Sequence, residues 1–335
     1  MIKQIFCRIA LLVLISAQSL LISNSVSGED LPALQEIRIP SQLDKTEQPA
    51  LIWTPENAKL EPTPLLLFLH SWSGNYQQDN SKWQREAVAR GWIYLHPNFR
   101  GPNKSPKACG SKYARQDVLD SLDFVLRNYN VDQSRIYLAG SSGGGHMAML
   151  MAGHHPKRFS AVSAWVGISD LAQWYQFHLK DGEPQNYAKM ILASLGEAPG
   201  QSLAIDLDYK DRSPIFHLHK IGQLPIDLNA GVKDGHSGSV PIFHTMQAYN
   251  LIAKTHGKPE ISQQEMDQLW EQGKLTSPTK SDTAEDESYS RKIFLRRNTD
   301  SARVTIFEGG HESLPDSACN WLAIQHRKTE HQEIR

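Results

Sequence analysis

The run Gly140-Ser141-Ser142-Gly143-Gly144-Gly145 follows an apolar stretch, 136–139, and leads into 146–152, a segment compatible with a helix. A serine held on a tight strand-to-helix turn is presented as a nucleophile. Such a turn demands small residues two positions before and after the serine, because side chains there would run into neighbouring strands. Gly140 and Gly144 satisfy that spacing for Ser142 and not for Ser141. The N–H of Gly143, at the start of the following helix, is placed to stabilise an oxyanion. No lysine follows in the pattern of a phosphate-cradling loop.

A lone serine is a weak nucleophile and needs a base, which in turn needs an orienting carboxylate. In the fold that uses this elbow, the chain order is serine, acid, histidine. Asp234 lies in Gly231-Val232-Lys233-Asp234-Gly235, after the strand expected at 226–230 and before Val240-Pro241. His311, in Glu308-Gly309-Gly310-His311-Glu312, follows the last expected strand, 304–307. These two residues are the expected acid and base. A second oxyanion donor is expected from His70-Ser71-Trp72-Ser73-Gly74, through the backbone N–H of Trp72 or Ser71. His217 and His219 have no acidic or cysteine ligand beside them, so no metal is assigned and no cofactor is expected.

Strands and helices must alternate to put these loops on one edge. Short strands at 36–39 and 50–53 read as an opening hairpin. The uninterrupted apolar run 65–69 fits a strand buried on both faces, and 92–95 is a second. Trp83, Ala87 and Val88 have helical spacing between them. Residues 117–129 place Val118, Leu122, Val125 and Tyr129 on one helical face. Further strands are expected at 161–168 and 293–295, and a helix at 242–253. Alternation of this kind predicts a mostly parallel central sheet with helices on both faces, the α/β-hydrolase fold.

Two stretches interrupt the repeat. Residues 171–224 form a long aromatic-dotted insert that could contribute a cap. Residues 258–297 carry their own helix signals: Ser262 with Glu265 as a capping box, Ile261 with Met266 as a staple, and Gly273 as a stop. Chain direction brings this second insert toward the catalytic edge, where it is expected to form one rim of the substrate cleft, with Trp270 packed on the core or facing substrate.

The composition, 40% hydrophobic with a formal charge of −1, fits a globular chain and gives no sign of a nucleic-acid partner. Lys3 and Arg8, the apolar run 9–22 and Ser25-Val26-Ser27 read as an export signal over 1–27. A single domain, 28–335, then carries a formal charge of −3 to the periplasm or extracellular space, with no stable membrane insertion, since the apolar run is shorter than the roughly 20 residues a spanning helix needs. In that oxidising setting Cys109 and Cys319, each shortly beyond a strand end on the active-site edge, are expected to form a disulfide.

The chain also resembles the catalytic domain of the prolyl oligopeptidase family of serine peptidases and its single-domain esterase relatives. The resemblance rests on Asn98-Phe99-Arg100-Gly101, the helix at 117–126, the strand and elbow of 132–145, residues 156–159, Arg212-Ser213-Pro214, Asp234 with Val240-Pro241, and Gly310-His311. It implies the same Ser142, Asp234, His311 set. Where large family members carry an oxyanion tyrosine, this chain has His70, and only about thirty residues separate the signal from the core strands, too few for a propeller. The expected substrate is a small or oligomeric acyl compound, a carboxylic ester ahead of a peptide. A hydrolase-fold binding module without activity is the remaining reading.

Overall fold

The computed structural model describes residues 31–327. The export signal expected at 1–27 lies outside the described residues. Strands β1 (Gln35–Pro40) and β2 (Glu47–Trp53) pair antiparallel as the opening hairpin. There follow β3 (Thr63–Leu69), α1 (Ser81–Ala89), β4 (Ile93–Pro97), α2 (Lys112–Asn128), β5 (Val131–Ser141), α3 (Gly143–His154) and β6 (Ala161–Trp165). The first insert contributes α4 (Leu171–Phe177), the two-residue strands β7 (Leu179–Lys180) and β8 (Glu183–Pro184), α5 (Asn186–Leu195) and α6 (Leu203–Asp211). Then come β9 (Ile226–Gly231), α7 (Phe243–Thr255), α8 (Gln263–Gln272), β10 (Ile293–Asn298), β11 (Ala302–Phe307) and α9 (Pro315–Ala323).

Among the described residues nine strands make one sheet in the order β1-β2-β4-β3-β5-β6-β9-β11-β10. From β4 to β11 neighbours are parallel, while β1, β2 and β10 add antiparallel pairs at the two ends. This is the α/β-hydrolase fold. Every residue of β3, β4, β6 and β9 is buried, so both faces of the sheet are covered, which is why these strands read as continuous apolar runs.

Local departures from the sequence expectation have simple causes. Helix α2 starts five residues before 117, because the Ser111 hydroxyl accepts from the Ala114 N–H and caps a polar first turn. Strand β6 stops at Trp165, where Val166 takes a φ of 45° and its N–H bonds the Asn229 carbonyl at 2.7 Å. His217 and His219 sit in a pair of 3₁₀ turns: Pro214 opens the first, and the second follows at Leu218–Lys220.

The disulfide expectation fails. Cys109 and Cys319 are both free and buried. Cys109 packs with Trp72, Ile168 and Trp174 under the first insert, whereas Cys319 sits on α9 in the main core. Two apolar clusters enclose the two sulfurs separately, and burial pushes the Cys109 thiol up to about 12.

Both inserts fold onto the body. Helices α4 and α5 bury Leu171, Trp174, Tyr175 and Ile191 in the cluster that also holds Trp72 and Val240. Helix α8 has its capping box at Ser262 and Glu265, buries Met266 and Leu269, and ends on Gly273 in the left-handed conformation, as the sequence predicts. The acidic stretch beyond it lies against the last strand of the sheet. It runs along β10, where Asp282 accepts from the Arg296 N–H and pairs with Arg297, and Asp286 pairs with Arg296.

Candidate active site

Strand β5 delivers the chain to Ser142 in a strained turn with φ 60° and ψ −118°. An L-residue there costs about 1–2 kcal/mol, so the surroundings must hold it. They do so through the Ser142 N–H to the Trp165 carbonyl at 2.9 Å and the His146 N–H to the Ser142 carbonyl at 2.9 Å. A Cβ on Gly140 would stand 2.2 Å from the Gly144 carbonyl oxygen, and one on Gly144 would stand 2.0 Å from that of Leu69. The elbow therefore closes only with glycine at both positions.

Asp234 follows β9 on a loop that is closed over its carboxylate. Its Oδ1 accepts the N–H groups of Gly235 at 2.9 Å and Val240 at 3.2 Å, and the side chain is wholly buried. His311 follows β11. Its Nδ1 lies 2.9 and 2.8 Å from the two Asp234 oxygens, and its Nε2 lies 2.9 Å from Ser142 Oγ. The fit is tight enough that a Cβ on Gly238 would meet Asp234 Oδ1 at 2.2 Å and His311 Cβ at 2.6 Å. Asp234, His311 and Ser142 thus form one hydrogen-bonded line built from three strand ends, with the serine proton within reach of a ring whose other N–H is held by a carboxylate.

The two oxyanion candidates on the β3 loop separate clearly. The Ser71 N–H is committed to Gln78 Oε1 at 2.9 Å, so Ser71 is not available as a donor. Among the described residues the Trp72 N–H has no acceptor, and a Cβ on Gly143 would stand 2.3 Å from the Trp72 nitrogen. The backbones of Trp72 and Gly143 therefore abut beside Ser142. His70 is wholly buried and stacked on Phe99 at 3.9 Å, with its ring nitrogens 2.9 and 2.6 Å from the carbonyls of Ser71 and Asn98. Burial pushes its pKa below the usual histidine value. It fixes the loop.

Sequence reasoning missed two supports. Gln78 also donates to Ser71 Oγ at 3.2 Å, fastening the loop from seven residues away. Ser239 accepts at its carbonyl from Trp174 Nε1 at 2.7 Å, has His178 Nε2 at 2.9 Å from that same oxygen, and its hydroxyl lies 3.4 Å from His311 Nε2. The first insert is thereby tied to the histidine. Neither residue carries a motif, and contacts spanning 61 and 65 positions leave no trace in local spacing. The second insert braces from the other side: Trp270 stacks on His236 at 3.7 Å, beside the Asp234 loop, and Arg291 pairs with Glu312 at 2.7 Å.

Contrary to the sequence expectation, an acid does lie beside His217. Asp211, at the end of α6, groups with His154 and His217 so that one ligand atom from each lies within 4.8 Å of the others.

A family model described as the prolyl oligopeptidase family matches residues 79–267, more than half of the chain. The chain belongs to the prolyl oligopeptidase family. Among curated relatives, it is 28% identical over 172 residues to an uncharacterized peptidase, YtmA, of Bacillus subtilis, covering 50% of this chain and 61% of that one. It is 29% identical over 129 residues to an acetylxylan esterase of Coprinopsis cinerea, covering 35% and 34%. A solved acylaminoacyl peptidase of Pyrococcus horikoshii superposes with a TM-score of 0.56 at 20% identity, over 68% of this chain and 35% of that one, and shares the fold. The chain spans less than two thirds of the length of each of these relatives.

Proposed function

We propose that this family member hydrolyses carboxylic esters of hydroxylated compounds through an acyl-enzyme, with Ser142 as nucleophile, His311 as general base and Asp234 as the residue that orients the imidazole. The observation that carries the reading is the hydrogen-bonded line from Asp234 through His311 to Ser142 Oγ. His311 Nε2 takes the hydroxyl proton as Oγ attacks the acyl carbon. The resulting oxyanion is held by the N–H groups of Gly143 and Trp72. Collapse expels the alcohol, which leaves with the proton from His311, and water repeats the sequence to release the acid. No metal or organic cofactor takes part in these steps.

The ester preference is supported by the acetylxylan esterases among the relatives. A recess of about 310 Å³ beside the site includes Ser71, Ser141 and Glu312, the chain neighbours of Trp72, Ser142 and His311, and offers polar groups to an alcohol bearing several hydroxyls, as in an acylated carbohydrate. A serine peptidase is the second reading, favoured by the peptidase among those relatives. Action outside the cytoplasm, after loss of 1–27, completes the proposal. One panel tests it: a short-chain p-nitrophenyl ester, an acetylated oligosaccharide, a proline-containing peptide amide and a fluorophosphonate. The expected result is turnover of both esters and labelling of Ser142. Cleavage of the amide without the esters would replace the ester reading by the peptidase one, and absence of labelling would remove the nucleophile.

A further inference from the structure

Away from the catalytic edge, the end of the elbow helix meets the base of the first insert. His154 is the last residue of α3, Asp211 the last residue of α6, and His217 joins the two 3₁₀ turns that follow. The two imidazole rings lie with centroids 4.0 Å apart and planes tilted by 38°, and His154 Nε2 is 4.0 Å from Asp211 Oδ1. This approach depends on Gly153, where a Cβ would stand 2.6 Å from His217 Cβ. The backbone at His217 is pinned by its own N–H to Pro214 and by the Lys220 N–H to its carbonyl.

From this cluster we infer a binding site for one divalent transition-metal ion of the zinc type, with His154, His217 and Asp211 as ligands and water completing the shell. Imidazole with carboxylate suits zinc, nickel and copper rather than magnesium or calcium. Donors around a tetrahedral zinc at ~2.1 Å stand about 3.4 Å apart, so a set already within 4.8 Å closes by side-chain movements of about 1 Å.

The proton and hydrogen-bond inventory fits. The Nε2 atoms of His154 and His217 lie 3.2 and 3.1 Å from one shared acceptor, the Asp211 carbonyl, while His217 Nδ1 is buried without a partner among the described residues. Each ring can move its proton to whichever nitrogen does not face the ion. Metal binding needs neutral imidazoles. Arg115 Nη2 holds Asp211 Oδ2 at 2.9 Å, which leaves Oδ1 turned toward the rings. That guanidinium also opposes an incoming cation, so affinity is expected in the micromolar range. A bound ion would pin the helix behind Ser142 to the insert that covers the site.

The test uses full-length, tag-free protein stripped with a chelator and titrated with ZnCl₂, read by calorimetry and by thermal unfolding. One zinc per chain and a saturable rise of the unfolding midpoint are expected. His154→Ala and His217→Ala should each weaken binding at least tenfold, whereas His219→Ala, an exposed neighbour, should not. Asp211→Asn tests the third ligand without disturbing the packing at Gly153 should the histidine variants fail to fold. The site is overturned if zinc does not bind below about 1 mM, or if stoichiometric binding is unchanged in the His154, His217 and Asp211 variants. None of these readouts depends on catalysis.

Discussion

The two inserts brace the same three loops by different means. The first, 171–224, builds an apolar cluster around Trp174 and Trp72 and reaches His311 through Ser239. The second, 258–297, buries Ile261, Met266, Leu269, Leu275 and Tyr289 in the main core, and reaches the catalytic loops through partly exposed contacts, Trp270 on His236 and Arg291 with Glu312. Apolar burial is worth roughly 25 cal/mol per Å², while partly exposed ion pairs contribute under about 1 kcal/mol each. Where they touch the catalytic loops, the first insert does so with buried apolar groups and the second with partly exposed ones.

The reference point for that comparison is the nucleophile. Ser142→Ala should lower kcat by about 10⁴- to 10⁶-fold and abolish fluorophosphonate labelling, whereas Ser141→Ala should leave labelling intact. Loss of labelling in the Ser141 variant instead would mean that the elbow is read in the wrong register.

The contrast between inserts is sharpest at Trp174. Trp174→Ala should destabilise by about 3–5 kcal/mol and slow turnover by freeing Ser239. Denaturant unfolding and ester kinetics check this, and a loss under about 1 kcal/mol would remove the distinction.

Acid should attack the floor of the first insert before the second. His146, edge-on to Trp72 and with Nε2 2.8 Å from the Arg212 carbonyl, is held at about 4 by burial, and His244, beneath Ser169, at about 3. Their folded values lie below the unfolded ~6.5, so the unfolded chain binds more protons in between. Stability is expected to be full above pH ~6.5 and to fall by a few kcal/mol as pH drops toward 3–4. Thermal unfolding midpoints from pH 8 to 4 measure it. Midpoints that stay level below pH 6.5 would show that these rings are not buried neutral.

The second insert gives the smallest effects. Trp270→Ala, at a half-buried ring, should cost ~2 kcal/mol, less than Trp174→Ala. Arg291→Ala, which breaks a partly exposed pair, should change stability by less than about 1 kcal/mol. Equal losses at Trp174 and Trp270 would erase the ranking of the two supports.

Much of the catalytic edge was legible because it is local. The glycines at 140 and 144 are required by backbone approach within one turn, and chain order places Asp234 and His311 after successive strand ends. Continuous apolar runs marked the buried strands, and the Ser262–Glu265 box with Gly273 marked α8. The misses share a different cause. Cys109 and Cys319 each follow a strand end, yet which apolar cluster closes over a side chain depends on elements distant in sequence. Ser71 and Trp72 are neighbours with equal claims to the oxyanion; Gln78, folding back, occupies the Ser71 N–H and leaves that of Trp72 open.

The sequence by itself determined the alternation that makes the sheet, the elbow at Ser142 and the order in which Asp234 and His311 follow it on strand-end loops, since each follows from steric and periodic rules acting over a few residues. Only the tertiary structure decided which hydroxyl also faces His311, how each insert is held, that the two thiols stay apart, and that Asp211 stands beside His154 and His217. Those are meetings of side chains tens of positions apart or more, set by how the surfaces pack, and no local pattern encodes them.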